Sequence, residues 1–178
     1  KPTGVVMDSS GNLFVSDREN HLIRKIDTSR NVTTFAGSGT SGSNNGQGTS
    51  ASFNEPSGMA FDSSGNLYVA DRSNHKIRKI DSSGNVTTVA GTGNAGSVNG
   101  QGTSASFNQP IDIVLDDSGN IYVSDHKNHK IRKIDPSGNV TTIAGSGSGS
   151  FADGQGSSAS FNYTTGIAID SAGNLYVS

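Results

Sequence analysis

Three histidines recur, each with an aspartate four positions earlier: Asp17 and His21, Asp71 and His75, Asp125 and His129. Imidazole beside carboxylate can move protons or ligate a metal. Spacing argues against both. Each pair lies 54 residues from the last, so each belongs to its own copy of a repeated unit, and one His per unit is a poor chelate. The pairs read as structural positions, with the His making a hydrogen bond that shapes a turn. No Ser/His/Asp arrangement stands out from this periodic background. The sequence therefore predicts no catalytic residue, no metal site and no cofactor.

Other chemistry-like patterns resolve in the same way. Asp8-Ser9-Ser10-Gly11-Asn12 and its copies at 62, 116 and 170 lack the alternating acids of a calcium loop. They read as tight turns in which Asp accepts amide bonds and Gly takes a left-handed conformation. Gly91-Thr92-Gly93-Asn94-Ala95-Gly96 lacks the Lys and the strand-to-helix setting of a phosphate loop. Asn31, Asn85, Asn139 and Asn162 each open a glycosylation sequon. Three of these are turn asparagines followed by a strand, so repetition explains them.

Strands must position all of these residues. Each unit opens on a short apolar run (Val5-Val6-Met7, Met59-Ala60-Phe61, Ile113-Val114-Leu115, Ile167-Ala168-Ile169), read as a strand buried on both faces. A second strand (Leu67-Tyr68-Val69-Ala70) follows the turn, then a third (Ile77-Arg78-Lys79-Ile80), then a more polar fourth (Val86-Thr87-Thr88-Val89-Ala90), the expected outer edge. Arg30 stands where the other copies of the third-to-fourth turn carry Gly, at a cost of about 1 kcal/mol if that position is left-handed. A Gly- and Ser-rich segment then leads to the next unit. Its Ala51 and Phe53, with copies ending in Phe107 and Phe161, are expected to pin that segment to the blade, through one helical turn.

Four-stranded antiparallel units at a fixed period indicate a β-propeller. The expected fold is all-β, with blade repeats at 1–54, 55–108 and 109–162 and a half blade at 163–178. In such a meander, the second-to-third turns and the inter-repeat segments share one end. Variable residues collect there: Arg18, Arg72 and His126 after the Asp, and Asp112 where the other copies have Gly4, Gly58 and Gly166. Arg18, Arg72, Asp112 and His126 form the candidate binding face.

Composition sets limits. Net charge is −2, which gives no basic footprint for nucleic acid. No stretch approaches the roughly 20 apolar residues of a membrane span. Cysteine is absent, so disulfides and thiolate sites are excluded. Low charge with abundant Gly, Ser, Thr and Asn fits secreted bacterial repeat proteins.

Asn20-His21-Leu22, Pro2-Thr3-Gly4-Val5-Val6-Met7-Asp8 and Tyr68-Val69-Ala70-Asp71 resemble the motifs of the NHL repeat family. The resemblance implies a propeller and no single activity, since relatives include RNA-binding, protein-binding, cell-surface and lyase members. Three and a half blades would expose apolar blade faces. The expected partners are further blades of a longer chain or other copies of itself, in a ring or an end-to-end array, with a half blade that a partner strand completes. The functional expectation is a non-catalytic extracellular scaffold or binding module, secreted or at the cell surface, with a protein or glycan ligand. A self-assembling surface filament is the second reading, and a propeller lyase or hydrolase the third.

Overall fold

The computed structural model describes residues 1–178 and is all-β apart from single 3₁₀ turns. Strands β1 (Pro2–Met7), β2 (Leu13–Asp17), β3 (Leu22–Ile26) and β4 (Val32–Ala36) form the first antiparallel sheet, in sequence order from inside to outside. After β5 (Gly46–Gln47), the second blade repeats the order in β6 (Pro56–Phe61), β7 (Leu67–Asp71), β8 (Lys76–Ile80) and β9 (Asn85–Ala90). After β10 (Gly100–Gln101), the third blade does so in β11 (Pro110–Leu115), β12 (Ile121–Asp125), β13 (Lys130–Ile134) and β14 (Asn139–Ala144). Hairpin β15 (Ile167–Ile169) and β16 (Leu175–Val177) closes the chain. These are propeller blades, and the sheets do not close into a ring.

The turns follow from their side chains. Asp8 accepts the amides of Ser10 and Asn12 on Oδ1, and the Asn12 side chain on Oδ2, all within 2.9 Å. Those bonds, led by the Asn12 side chain, hold its carboxyl below the usual range. Gly11 takes φ +82°. Arg30 does adopt the left-handed conformation, at φ 69°, like Gly84 at 83° and Gly138 at 86°.

Two features differ from the sequence expectation. The fourth strand is not the outer edge of the second and third blades, because β5 and β10 pair outside β9 and β14. Each is supplied by the segment that leaves the preceding repeat. The first strand is not uniformly buried either: Val5 and Met7 are 61% and 65% exposed.

The core is divided between the blade junctions. Phe14, Ile23, Phe53, Met59, Leu67, Val69 and Val86 form one cluster between the first and second blades, and an equivalent cluster joins the second and third. Each inter-repeat segment turns once at Gly48–Ser50 or Gly102–Ser104 and buries its Ala and Phe completely. Burying Phe53 contributes about 2 kcal/mol. Phe161 stays partly exposed.

A charged clamp seats each segment. Arg78 and Asp71 are both fully buried, 2.8 Å apart. Arg78 also donates to the carbonyls of Ser52 and Asn44 and to the side chain of Asn45. Asp71 accepts the backbone N–H of Asn54 and the Asn74 side chain. Arg132 and Asp125 repeat the arrangement at 2.9 Å. In the first blade, Arg24 and Asp17 lie 3.9 Å apart and partly exposed.

Removing one member of a buried pair costs about 3–5 kcal/mol, whereas an exposed pair contributes about 1 kcal/mol or less. Urea unfolding should therefore show a severe loss for Arg78→Ala and a small one for Arg24→Ala. Arg30→Gly should raise stability by about 1 kcal/mol in the same assay.

Candidate functional site

Each second strand ends on its aspartate and passes into one 3₁₀ turn, Arg18–Asn20, Arg72–Asn74 or His126–Asn128. Backbone amides of His21, His75 and His129 close these turns. All three histidines are left-handed, with φ between 54° and 56°. Their rings reach out of their own repeat. Nδ1 of His21, His75 and His129 accepts the backbone N–H of Glu55, Gln109 and Tyr163 at 3.1, 3.0 and 2.9 Å. Those acceptors' partners are themselves left-handed, at φ 54°, 53° and 58°. The histidine bond thus ties two strained backbone positions together across a blade junction.

Arg18, Arg72 and His126 cross the same junctions beside it. Glu55 Oε2 accepts from Arg18 at 2.8 Å, from Arg72 at 2.7 Å and from Ser73 at 2.9 Å. Arg72 also donates to Gln109 Oε1 at 2.8 Å. His126 Nδ1–H donates to the Thr164 carbonyl at 3.0 Å, and its ring lies 5.1 Å from that of Tyr163. His129 and Lys127 face the same tyrosine, each at 4.7 Å. The structure therefore brings Arg18 and Arg72 onto one carboxylate and places His126 at the next junction.

Asp112 occupies a different place. The inner strands surround an axial pocket of about 250 Å³, lined by small residues that include Gly4, Ser57, Gly58, Thr165 and Gly166. Asp112 is the one ionisable side chain in its lining. A Cβ at Gly58 would meet Asp112 Oδ1 at 2.2 Å, so glycine at that neighbour makes room for the carboxylate. Its oxygens accept the amides of Ile113 at 3.0 Å and Ile167 at 3.1 Å. Burial raises its pKa against these bonds, and no cation lies within ion-pair distance. No three His, Cys, Asp or Glu side chains converge in metal-binding reach.

A model of the NHL repeat matches residues 1–26, 53–80 and 107–134. The chain carries three NHL repeats. It is 40% identical over 81 residues to the Arabidopsis thaliana protein SUPPRESSOR OF QUENCHING 1, chloroplastic, covering 45% of this chain and 8% of that protein. It is 42% identical over 84 residues to human NHL repeat-containing protein 2, covering 45% of this chain and 12% of that protein. Among solved structures, a Bacteroides thetaiotaomicron protein of unknown function superposes with TM-score 0.82 at 26% identity, over 99% of this chain and 44% of that one. An auxiliary nutrient binding protein from the same organism gives 0.76 at 24% identity, over 98% of this chain and 44% of that one, a likeness of fold. This NHL-repeat chain thus spans less than half of the length of each of these four proteins. None of its helices is long and apolar enough to cross a membrane.

Several site residues went unread in the sequence. Arg78 and Arg132 stand in third strands, where nothing in the sequence separates them from other alternating residues. Glu55, Gln109 and Tyr163 were passed over, although each stands 37 positions after Arg18, Arg72 or His126. The signal was the paired departure: Arg gives way to His at 126 where Glu or Gln gives way to Tyr at 163.

Burial pushes the His75 pKa down, and its bond from Gln109 requires an unprotonated Nδ1. The neutral form is favoured on folding, so stability is full above the unfolded pKa of about 6.5 and is lost as pH falls toward the folded value. Thermal melts should decline as pH falls below about 6.5. His75→Asn, which tolerates the left-handed backbone, should show a shallower decline.

Proposed function

We propose that this NHL-repeat chain is a non-catalytic binding and scaffold module, secreted or displayed at the cell surface. Its loop-and-turn face is the binding surface, with a protein or glycan as ligand. The observation that carries this reading is the contrast within that face. Arg18, Arg72 and His126 are engaged with neighbouring repeats, while Asp112 opens onto the axial pocket without a cation. A rigid ladder of inter-blade bonds around one unpaired carboxylate suits presentation and recognition. We take its units to be the three blade repeats 1–54, 55–108 and 109–162 and the half blade 163–178.

Association with further repeats is a second reading, favoured by one surface. Val15, Asp17, Arg24 and Val32 line an open groove of about 200 Å³ on the first blade. The matching positions in the later blades hold the Asn and Phe of a preceding segment. Another repeat of the same kind, from a longer chain or a second copy, fits this groove.

Two measurements test these readings. Asp112→Gly with His126→Arg installs the residues found in the other copies and should keep the fold. On a glycan and peptide array, the double variant should lose the wild-type hits, and an unchanged set of hits would overturn the site. Sedimentation at micromolar concentration should give a mass above the 18.2 kDa monomer; a folded monomer would end the association reading.

A further inference from the structure

The opposite end of the blades carries the plain Asp-x-x-Gly-Asn turns, yet one junction there is unlike the rest. Phe14, Phe35 and Phe61 converge between the first and second blades. Phe14 meets Phe35 at 4.9 Å and Phe61 at 5.1 Å between ring centroids, both edge to face. Each phenylalanine is a departure from the repeat. Tyr68, Tyr122 and Tyr176 match Phe14; Val89 and Ile143 match Phe35; Met7, Leu115 and Ile169 match Phe61. Packing alone needs no aromatic cluster here, because aliphatic residues fill two of the three positions in the other copies. The three rings instead floor a recess of about 350 Å³, with Asp8, Asp62 and Lys25 at its rim. Lys25 Nζ stands 5.7 Å from the Phe14 centroid.

The missing hydroxyl is the second observation. Tyr122 donates to Asp116 Oδ2 at 3.0 Å, and Tyr176 donates to Asp170 Oδ2 at 3.1 Å. Phe14 has no hydroxyl, so Asp8 Oδ2 keeps only the Asn12 bond. An aromatic floor and a carboxylate oxygen with spare accepting capacity therefore face one recess. Its volume lies at the lower end of small-molecule sites, and a single ring suits it.

We propose that this recess binds a small phenol, its ring against the Phe14–Phe35–Phe61 cluster and its hydroxyl donating to Asp8 Oδ2. The bound hydroxyl takes the place that tyrosine supplies in the other copies. Edge-to-face packing adds to the apolar burial, and the bond to a charged acceptor sets the preference for a donor-bearing ring. The site is independent of the scaffold reading and lies at the other end of the blades.

Titration of the full chain with phenol and with toluene, followed by amide chemical shifts, tests it. Phenol should shift Ser9, Gly65 and Ser82 saturably, and toluene should bind at least about tenfold more weakly, the loss expected for a bond to a charged group. Phe14→Tyr restores the residue of the other three copies and should keep the melting temperature while weakening phenol at least about tenfold. Phe61→Leu, the residue type at 115, should weaken both probes. Equal affinity for phenol and toluene, undiminished phenol binding by Phe14→Tyr, or shifts confined to other residues would overturn the site.

Discussion

The buried pairs Arg78–Asp71 and Arg132–Asp125 are the constraint on which the array depends. Each puts two charges where no water reaches, which is costly unless their donors and acceptors are partnered. Nε of each arginine stays unpartnered, and most of the other partners come from another repeat: the Ser52 and Asn44 carbonyls, the Asn45 side chain and the Asn54 amide all belong to the segment before the blade. The guanidinium also lies 5.4 Å from the Phe53 centroid. A blade cannot bury its arginine alone. The charge therefore enforces the junction, and the apolar cluster beneath it fills in around a geometry already fixed.

This explains how much could be read from residues in order. The 54-residue period, the turn chemistry and the four-strand unit are local, and the sequence carries them openly. The left-handed state of Arg30 followed from comparing it with Gly84 and Gly138. The outer pairing of β5 on β9 was not legible, because Gly-Gln is too short to carry a strand signal and its partner lies in the next unit. Arg78 looked like any alternating strand residue. Its role depends on a segment whose sequence is mostly Gly, Ser and Asn, where backbone carbonyls rather than side chains do the recognising. Likewise, Asp112 and His126 were legible as departures, but not that both reach the segment containing Thr164 and Ile167.

The two ends of the blades use repetition differently. At the loop end, side chains vary from copy to copy, and each variation is matched by its neighbour across the junction: Arg with Glu or Gln, His with Tyr. Variation there is coupled, so a single substitution strains a pair. At the turn end, the bonds from the Asp to the turn amides and to the Asn side chain recur within each first-to-second hairpin. A departure such as Phe14 gives up the tyrosine hydroxyl bond that Asp116 and Asp170 receive and leaves the turn bonds of Asp8 intact. Novelty is structurally cheaper at the end that looks monotonous.

The two-residue strands β5 and β10 carry one more consequence. Because the tail of one repeat completes the sheet of the next, the folding unit is out of phase with the sequence unit. Excision at residue 54 would separate a blade from the hook that seals its rim. Insertion or loss of a whole 54-residue module, in any frame, would instead rejoin hook to rim with no new kind of seam. Length in this architecture can thus change by whole modules with the backbone seam preserved, while the side chains matched across each junction exchange one partner for another of the same position.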